Sequence, residues 1–144
     1  MFKTTVATRV ISFAILITLL LASFATTGAL AKGNNQGLEN KWEQLVDNYN
    51  RQSKTHNSAH HWAEAWLKDN PDASASKKAE VQKHLTICNS ALATATTIVS
   101  KHNGFDASGK VVDKAAARQP AKDLALALQR HASSIRNLDA HINK

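Results

Sequence analysis

The chain has 144 residues, with 18 Lys and Arg, 11 Asp and Glu, seven His and a single Cys. This length suits one small domain, and one Cys excludes a disulfide framework, a four-Cys zinc site, a ferredoxin-type cluster and a covalently attached c-type haem. Because five Gly and two Pro leave little material for the tight turns of a sandwich or barrel, the composition predicts an all-α fold.

Residues 1–31 have the order of a secretory signal peptide. Lys3 and Arg9 come before an apolar run over residues 10–24, and a segment of small residues ends at Ala31, as signal peptidase requires. The apolar run is shorter than the roughly 20 residues that span a bilayer, and polar Thr and Gly follow it. We therefore expect cleavage after Ala31, export to the periplasm or the extracellular medium, and no membrane span in the mature chain.

The mature chain is expected to begin with a flexible segment over residues 32–37 and to continue as a helical domain over residues 38–144. Removal of residues 1–31 leaves 16 basic and 11 acidic residues, a net charge of +5 that favours anionic partners. The basic residues are scattered and no aromatic residues alternate with them, which argues against nucleic-acid binding.

The first helix is predicted over residues 39–69. Apolar residues recur there at spacings of three and four, starting from Leu38, and this period is typical of an amphipathic helix. Asn40 and Glu43 have the spacing of a capping box at its start, and Pro71 closes its other end.

The second helix is predicted from the candidate N-caps in residues 72–76 as far as Asn103 and Gly104. After Pro120 a regular apolar stripe predicts a third helix. Pro120 itself either lies at a kink or begins a new helix after a short fourth one. Short connections make consecutive helices antiparallel, so the predicted architecture is an up-down-up three-helix bundle.

Two ladders of metal-ligand residue types are predicted on the first two helices. On each helix three such residues follow one another at intervals of four: His56, His60 and Glu64 on the first, and Glu80, His84 and Cys88 on the second. If the turn is centred near residue 72, antiparallel packing brings the two ladders to the same height, and His131 of the third helix lies at the edge of this level. The predicted metal site consists of His56, His60 and His84, with Cys88 and His131 as further members.

The ladders allow three interpretations. Neutral imidazole and thiolate are good ligands for zinc, copper or nickel, and neighbouring carboxylates complete or orient such sites. The structural interpretation is that the His residues are hydrogen-bonded in or near the core and that the Glu residues form exposed local pairs. The third interpretation, a noncovalent haem held by two imidazoles, ranks below a simple metal ion because the mature chain has no Met and few aromatic residues.

The unpaired Cys88 is unusual in an exported protein. It shares an apolar stripe with Leu85 and Leu92, which indicates a small buried core residue. The functional alternatives are that Cys88 is a metal ligand or that its thiol crosslinks two chains into a homodimer.

Trp62 lies on the flank of the first helix beside His61, and exposed Trp residues often anchor a partner. Trp42 and Trp66 belong to the apolar stripe of the same helix and are expected to be buried. We therefore consider Trp62 and His61 as candidate partner-binding residues.

The chain has no nucleophile elbow, no H-E-x-x-H motif and no P-loop, so we do not expect an enzyme. The leading functional prediction is a small exported helical bundle that binds another protein or an envelope component. The alternative is transition-metal binding through the His-rich site, for buffering, storage or sensing.

Overall fold

The structure, a computed structural model, describes residues 35–143, which form three α-helices joined by two connections. The helices are α1 (Gln36–Asp69), α2 (Ala75–Ser100) and α3 (Lys114–Ile142). Within the described part the β pairing consists of one isolated bridge between Phe105 and Val111. The predicted all-α bundle is thus confirmed, whereas the predicted signal peptide and its cleavage position lie outside the described residues. Between residues 35 and 143, none of the helices combines the length and apolar content needed to cross a bilayer.

The contacts between helices show the direction of the chain. The Tyr49 hydroxyl lies 3.1 Å from the Thr96 hydroxyl, and Ala63, further along α1, shares a core cluster with Val81 at the start of α2. Leu138, near the end of α3, belongs to that same cluster. Because early residues of one helix meet late residues of the next, α2 runs antiparallel to both of its neighbours.

The core is divided into layers along the bundle. One large cluster surrounds Trp42, whose ring stacks on Phe105 at a centroid distance of 4.4 Å, and another surrounds Val81. A small layer that contains Ala59, Cys88 and Ile135 forms a third cluster. The buried polar residues of the described chain are Asn48, Gln52, His131 and Ser134.

The first helix begins earlier than predicted, at Gln36 instead of residue 39. Gln36 and Gly37, which were expected in a flexible N-terminus, are its first residues. The predicted capping box is wrong, because Asn40 lies inside the helix and its Oδ1 accepts a hydrogen bond from Gln36 Nε2 at 2.7 Å. Asn35 occupies the N-cap position without a side-chain cap bond.

Glu39 ties the first turn of α1 to the connection before α3. Its carboxylate accepts the Val111 backbone N–H at 3.0 Å and lies 3.2 Å from Lys110 Nζ. These two bonds lower the pKa of Glu39, with the backbone bond as the main cause. This long-range tie holds the first turn of α1 against the connection before α3.

The start of α2 agrees with the sequence pattern, since Ser74, one of the candidate caps, accepts the Lys77 N–H at 3.2 Å. At the start of α3 the Asp113 carboxylate accepts two backbone N–H groups. Pro120 lies inside α3, so it begins no new helix and the separate fourth helix is wrong. Proline costs one backbone bond there, and its fixed φ is compatible with the early turns of a helix.

Gly104 allows the connection after α2 to pass close to α3. Its φ is +85°, and its carbonyl accepts the N–H groups of Val112 and Asp113. A Cβ at this position would lie 2.6 Å from the Asp113 carbonyl oxygen.

We expect Gly104→Ala to lower the free energy of unfolding by at least about 2 kcal/mol, because a left-handed alanine is strained and its methyl group overlaps backbone. Denaturant unfolding measures this loss. Gly37→Ala is the control, since a Cβ there meets nothing within 4 Å. Equal unfolding free energies for the two variants would contradict the prediction.

Candidate metal centre

His131 of α3 is fully buried, with no exposed surface, in the middle of the bundle. Its Nδ1 lies 2.6 Å from Oε1 of Gln52 on α1. The Gln52 amide is itself oriented, because its Nε2 donates to Oδ1 of the buried Asn48 at 3.1 Å. An amide oxygen only accepts, so Nδ1 of His131 carries the hydrogen. In the neutral imidazole, Nε2 therefore keeps a free lone pair.

That lone pair faces a second imidazole, and a thiol lies beside the second imidazole. Nδ1 of His56 on α1 lies 3.0 Å from Nε2 of His131, and Sγ of Cys88 on α2 lies 3.5 Å from the same Nδ1. The ligand atoms of the three residues all lie within 4.8 Å of one another. Each helix contributes one residue, and this cluster could hold a metal ion.

The distances suit a small transition-metal ion. With bonds of about 2.0–2.1 Å to nitrogen and about 2.3 Å to sulfur, a tetrahedral ion holds two nitrogens roughly 3.3 Å apart and a nitrogen and a sulfur roughly 3.6 Å apart. The separations of His56 Nδ1 from His131 Nε2, 3.0 Å, and from Cys88 Sγ, 3.5 Å, need shifts of only a few tenths of an ångström. The third pair of ligand atoms lies within 4.8 Å. Gln52 has the position of a typical outer-shell group, which accepts the second ring N–H of a ligating His.

Burial sets the protonation of the metal-free cluster. It is the main cause that lowers the pKa of His131 to about 4 and raises the pKa of the Cys88 thiol to about 12. The pKa of His56 is also lowered, first by burial and then by the charge of His60. At neutral pH both imidazoles are therefore uncharged, the thiol is protonated, and Nδ1 of His56 donates to His131. The hydrogen-bonded interpretation of the core His residues describes this metal-free state.

His60 lies beside the cluster, on the solvent side. Its ring centroid is 5.9 Å from that of His56, and its Nδ1 pairs with Glu64 at 3.2 Å. Both residues line a groove of about 570 Å³ between α1 and α2, which His56 also lines. His56 thus lies between the buried cluster and the groove.

His84 lies apart from this cluster. It forms a second group with Glu80 and His141 near the start of α2 and the end of α3. The five residues predicted as one metal site are therefore brought together only in part: His56, Cys88 and His131 converge, His60 lies in the adjacent groove, and His84 belongs to the other group.

The register between α2 and α3 explains part of this division. If the turn between α2 and α3 were centred near residue 106, antiparallel packing would place residues 124–132 of α3 level with the two ladders. In the structure Ile135 shares a layer with Cys88, because residues 105–111 close a small loop of their own through the Phe105 bridge. This shift brings His141 within reach of His84.

Three residues that form or support the two clusters were not among the predicted site residues. Gln52 and Asn48 provide the hydrogen bonds behind His131, and His141 completes the second group. Gln52 stands at a regular apolar position of the first helix, and a polar residue at such a position is a usable signal of a buried polar network.

The predicted partner-binding residues lie in different surroundings. Trp62 is half-buried and packs against the cluster that contains Ala63 and Val81. His61 is exposed and lines the groove beside His60.

Comparisons of the chain with protein-family models, with curated proteins and with solved structures gave no match, so the functional argument depends on the geometry of these residues.

Proposed function

We propose that this protein binds one transition-metal ion, zinc or copper, through His56, Cys88 and His131. The observation that carries this proposal is the convergence of three ligand atoms from three helices, with the lone pair of His131 directed towards them by Gln52. Such preorganisation of a ligand by an outer-shell partner is characteristic of metal sites.

The donor set favours zinc and copper among the metals considered. One thiolate and two imidazoles suit tetrahedral zinc with a fourth position for water or another ligand, and the same set suits trigonal copper. Nickel prefers square-planar or tetragonal nitrogen and oxygen sites, so it suits this set less well. A haem iron binds its axial imidazoles on opposite faces of the macrocycle, and nitrogens 3.0 Å apart leave no space between them for the ring.

Binding of a divalent ion releases one proton. The Cys88 thiol loses its proton, whereas the proton on Nδ1 of His56 moves to Nε2 and stays on the ring. Because burial keeps the free thiol protonated, the apparent affinity is expected to rise about tenfold per pH unit between about pH 7 and pH 9.

The biological role that we propose is the buffering or sensing of metal ions outside the cytoplasm, which also depends on the predicted signal peptide. The proposal assigns no catalytic step to the site. The binding of a protein or an envelope component, with Trp62 and His61 as contact residues, stays a prediction.

The test is a Co²⁺ titration of the reduced, chelator-treated protein, with Co²⁺ as a spectroscopic substitute for zinc. We expect a thiolate-to-metal charge-transfer band in the near ultraviolet whose final intensity corresponds to one thiolate-bound ion per chain and that zinc displaces. Metal content after purification without chelators identifies the ion that the protein carries.

Cys88→Ser is expected to abolish the charge-transfer band, and His56→Asn to weaken Co²⁺ binding at least 100-fold, because each removes a ligand. His61→Asn is the matched control: it removes an exposed His from the same helix and groove and should leave the titration unchanged. A titration without a charge-transfer band, or a band that persists in Cys88→Ser, would refute the proposal.

A further inference from the structure

A second group of metal-ligating side chains lies where α2 begins and α3 ends. Glu80 and His84 are one turn apart on α2, and the distance from Glu80 Oε2 to His84 Nε2 is 3.7 Å. His141, in the last turn of α3, stacks its ring on that of His84 with a centroid distance of 5.5 Å and an interplanar angle of 21°. One ligand atom from each residue falls within 4.8 Å of the other two.

We propose that Glu80, His84 and His141 form a second site, which binds a divalent transition-metal ion. A carboxylate and two imidazoles are the donor set of many open zinc sites, and without a thiolate the set does not select Cu⁺. This ligand chemistry differs from that of the Cys88 cluster. The protein would thus hold one ion on a thiolate in its core and one ion on nitrogen and oxygen ligands at its end.

The surroundings of His84 support this assignment. Its side chain is 12% exposed, and the ring nitrogen that faces Glu80 is Nε2. Glu80 is more open, with 39% of its side chain exposed. A bound ion would therefore be held by a partly buried imidazole on one side and would be open to water on the other.

In the metal-free protein, Lys83 pairs with the Glu80 carboxylate that an ion would bind. Its Nζ lies 3.1 and 3.3 Å from the two carboxylate oxygens of Glu80. An ion at the site must displace this exposed ion pair, which contributes little to stability. Removal of the lysine charge should therefore increase metal affinity at Glu80.

The ligands come from two helices that are distant in sequence. Glu80 and His84 belong to α2, whereas His141 belongs to the end of α3, so an ion would crosslink the final turn of the bundle to its neighbour. We expect zinc to slow amide hydrogen exchange over residues 138–142, where a terminal turn otherwise frays.

The experiment is an equilibrium zinc titration of the full purified chain, read by calorimetry and by amide exchange. The wild type is expected to bind two equivalents. His141→Asn and Glu80→Gln should each lower the zinc affinity of the second site at least tenfold and abolish the zinc-dependent protection of residues 138–142. Both variants should leave the Co²⁺ charge-transfer band of the core site intact. Lys83→Met should raise the zinc affinity of the second site severalfold.

The two proposed metal sites can be tested independently of each other. Cys88→Ser is expected to retain one equivalent of zinc and the protection of residues 138–142, even if the core site is disproved. Unchanged stoichiometry and unchanged protection in both His141→Asn and Glu80→Gln would overturn the second site. His61→Asn, the control on an exposed His, should behave like the wild type in every measurement.

Discussion

The free energy of unfolding of the metal-free protein is expected to fall by about 3 kcal/mol as the pH is lowered from 6.5 to 4. Burial lowers the pKa of His131 to about 4 in the folded state, whereas the pKa of a His in the unfolded chain is about 6.5. Between these two values the unfolded chain binds a proton that the folded protein excludes. Stability from this group is therefore complete above pH 6.5 and is lost as the pH falls towards 4. The lowered pKa values of His56 and His84 act in the same direction.

Denaturant unfolding at a series of pH values in the presence of a chelator measures this slope. His131→Leu should flatten the dependence between pH 6.5 and 4, whatever its effect on stability at neutral pH, because the titrating group is gone. His61→Asn removes an exposed His and should keep the wild-type slope. A slope in His131→Leu equal to that of the wild type would contradict the assignment of this dependence to His131.

Gln52→Leu is expected to weaken metal binding at the core site by about 10- to 100-fold, the usual cost of losing an outer-shell partner. It should also lower the free energy of unfolding by about 1–3 kcal/mol, because the ring of His131 loses its acceptor in a fully buried position. Without Gln52 the hydrogen of His131 is free to move to Nε2, where it blocks the atom that faces His56 and the metal.

Co²⁺ titration and denaturant unfolding of the same samples test this prediction. Gln52→Glu retains both the shape of the side chain and an acceptor for His131 Nδ1, so it should keep most of the metal affinity. Gln44→Leu, at an exposed position two turns earlier on α1, controls for the change from Gln to Leu. Wild-type affinity in Gln52→Leu would show that the tautomer of His131 does not depend on this bond.

The positioning of His131 also explains why a polar cluster is tolerated in the core of so small a bundle. A buried polar group is costly only when it lacks a partner. Here the bonds run from Asn48 through Gln52 and His131 to His56, so each ring nitrogen that faces the interior has a partner. These hydrogen bonds satisfy the polar groups of the metal-free cluster, and the lone pair that they orient on His131 is one that an ion needs.

The helices and part of the metal centre could be predicted from sequence alone. Period and composition indicate three helices because apolar side chains at spacings of three and four must share one buried face. The turn near residue 72 sets the antiparallel register of the first two helices, so His56 and Cys88 are correctly placed at one level, 3.5 Å apart in the structure. These are local properties, since a short connection leaves two helices little freedom to slide.

Other features depend on contacts between residues that are distant in the chain. The bond of Glu39 to Val111 joins the first turn of α1 to the connection before α3, and the bridge of Phe105 to Val111 closes a loop between α2 and α3. Neither contact has a signal in a sequence window, because each joins segments whose separation the folded core determines.

The sequence by itself determined which helices form, which residues carry metal-ligand chemistry and at what height on the first two helices they stand. The tertiary structure decided which of these side chains face one another. His60 and His84 have the same residue type and spacing as their neighbours, yet His60 pairs with Glu64 in the groove and His84 stacks on His141. Periodicity specifies position along a helix, whereas the rotation of each helix and the rotamers of its side chains are set by packing against the other two.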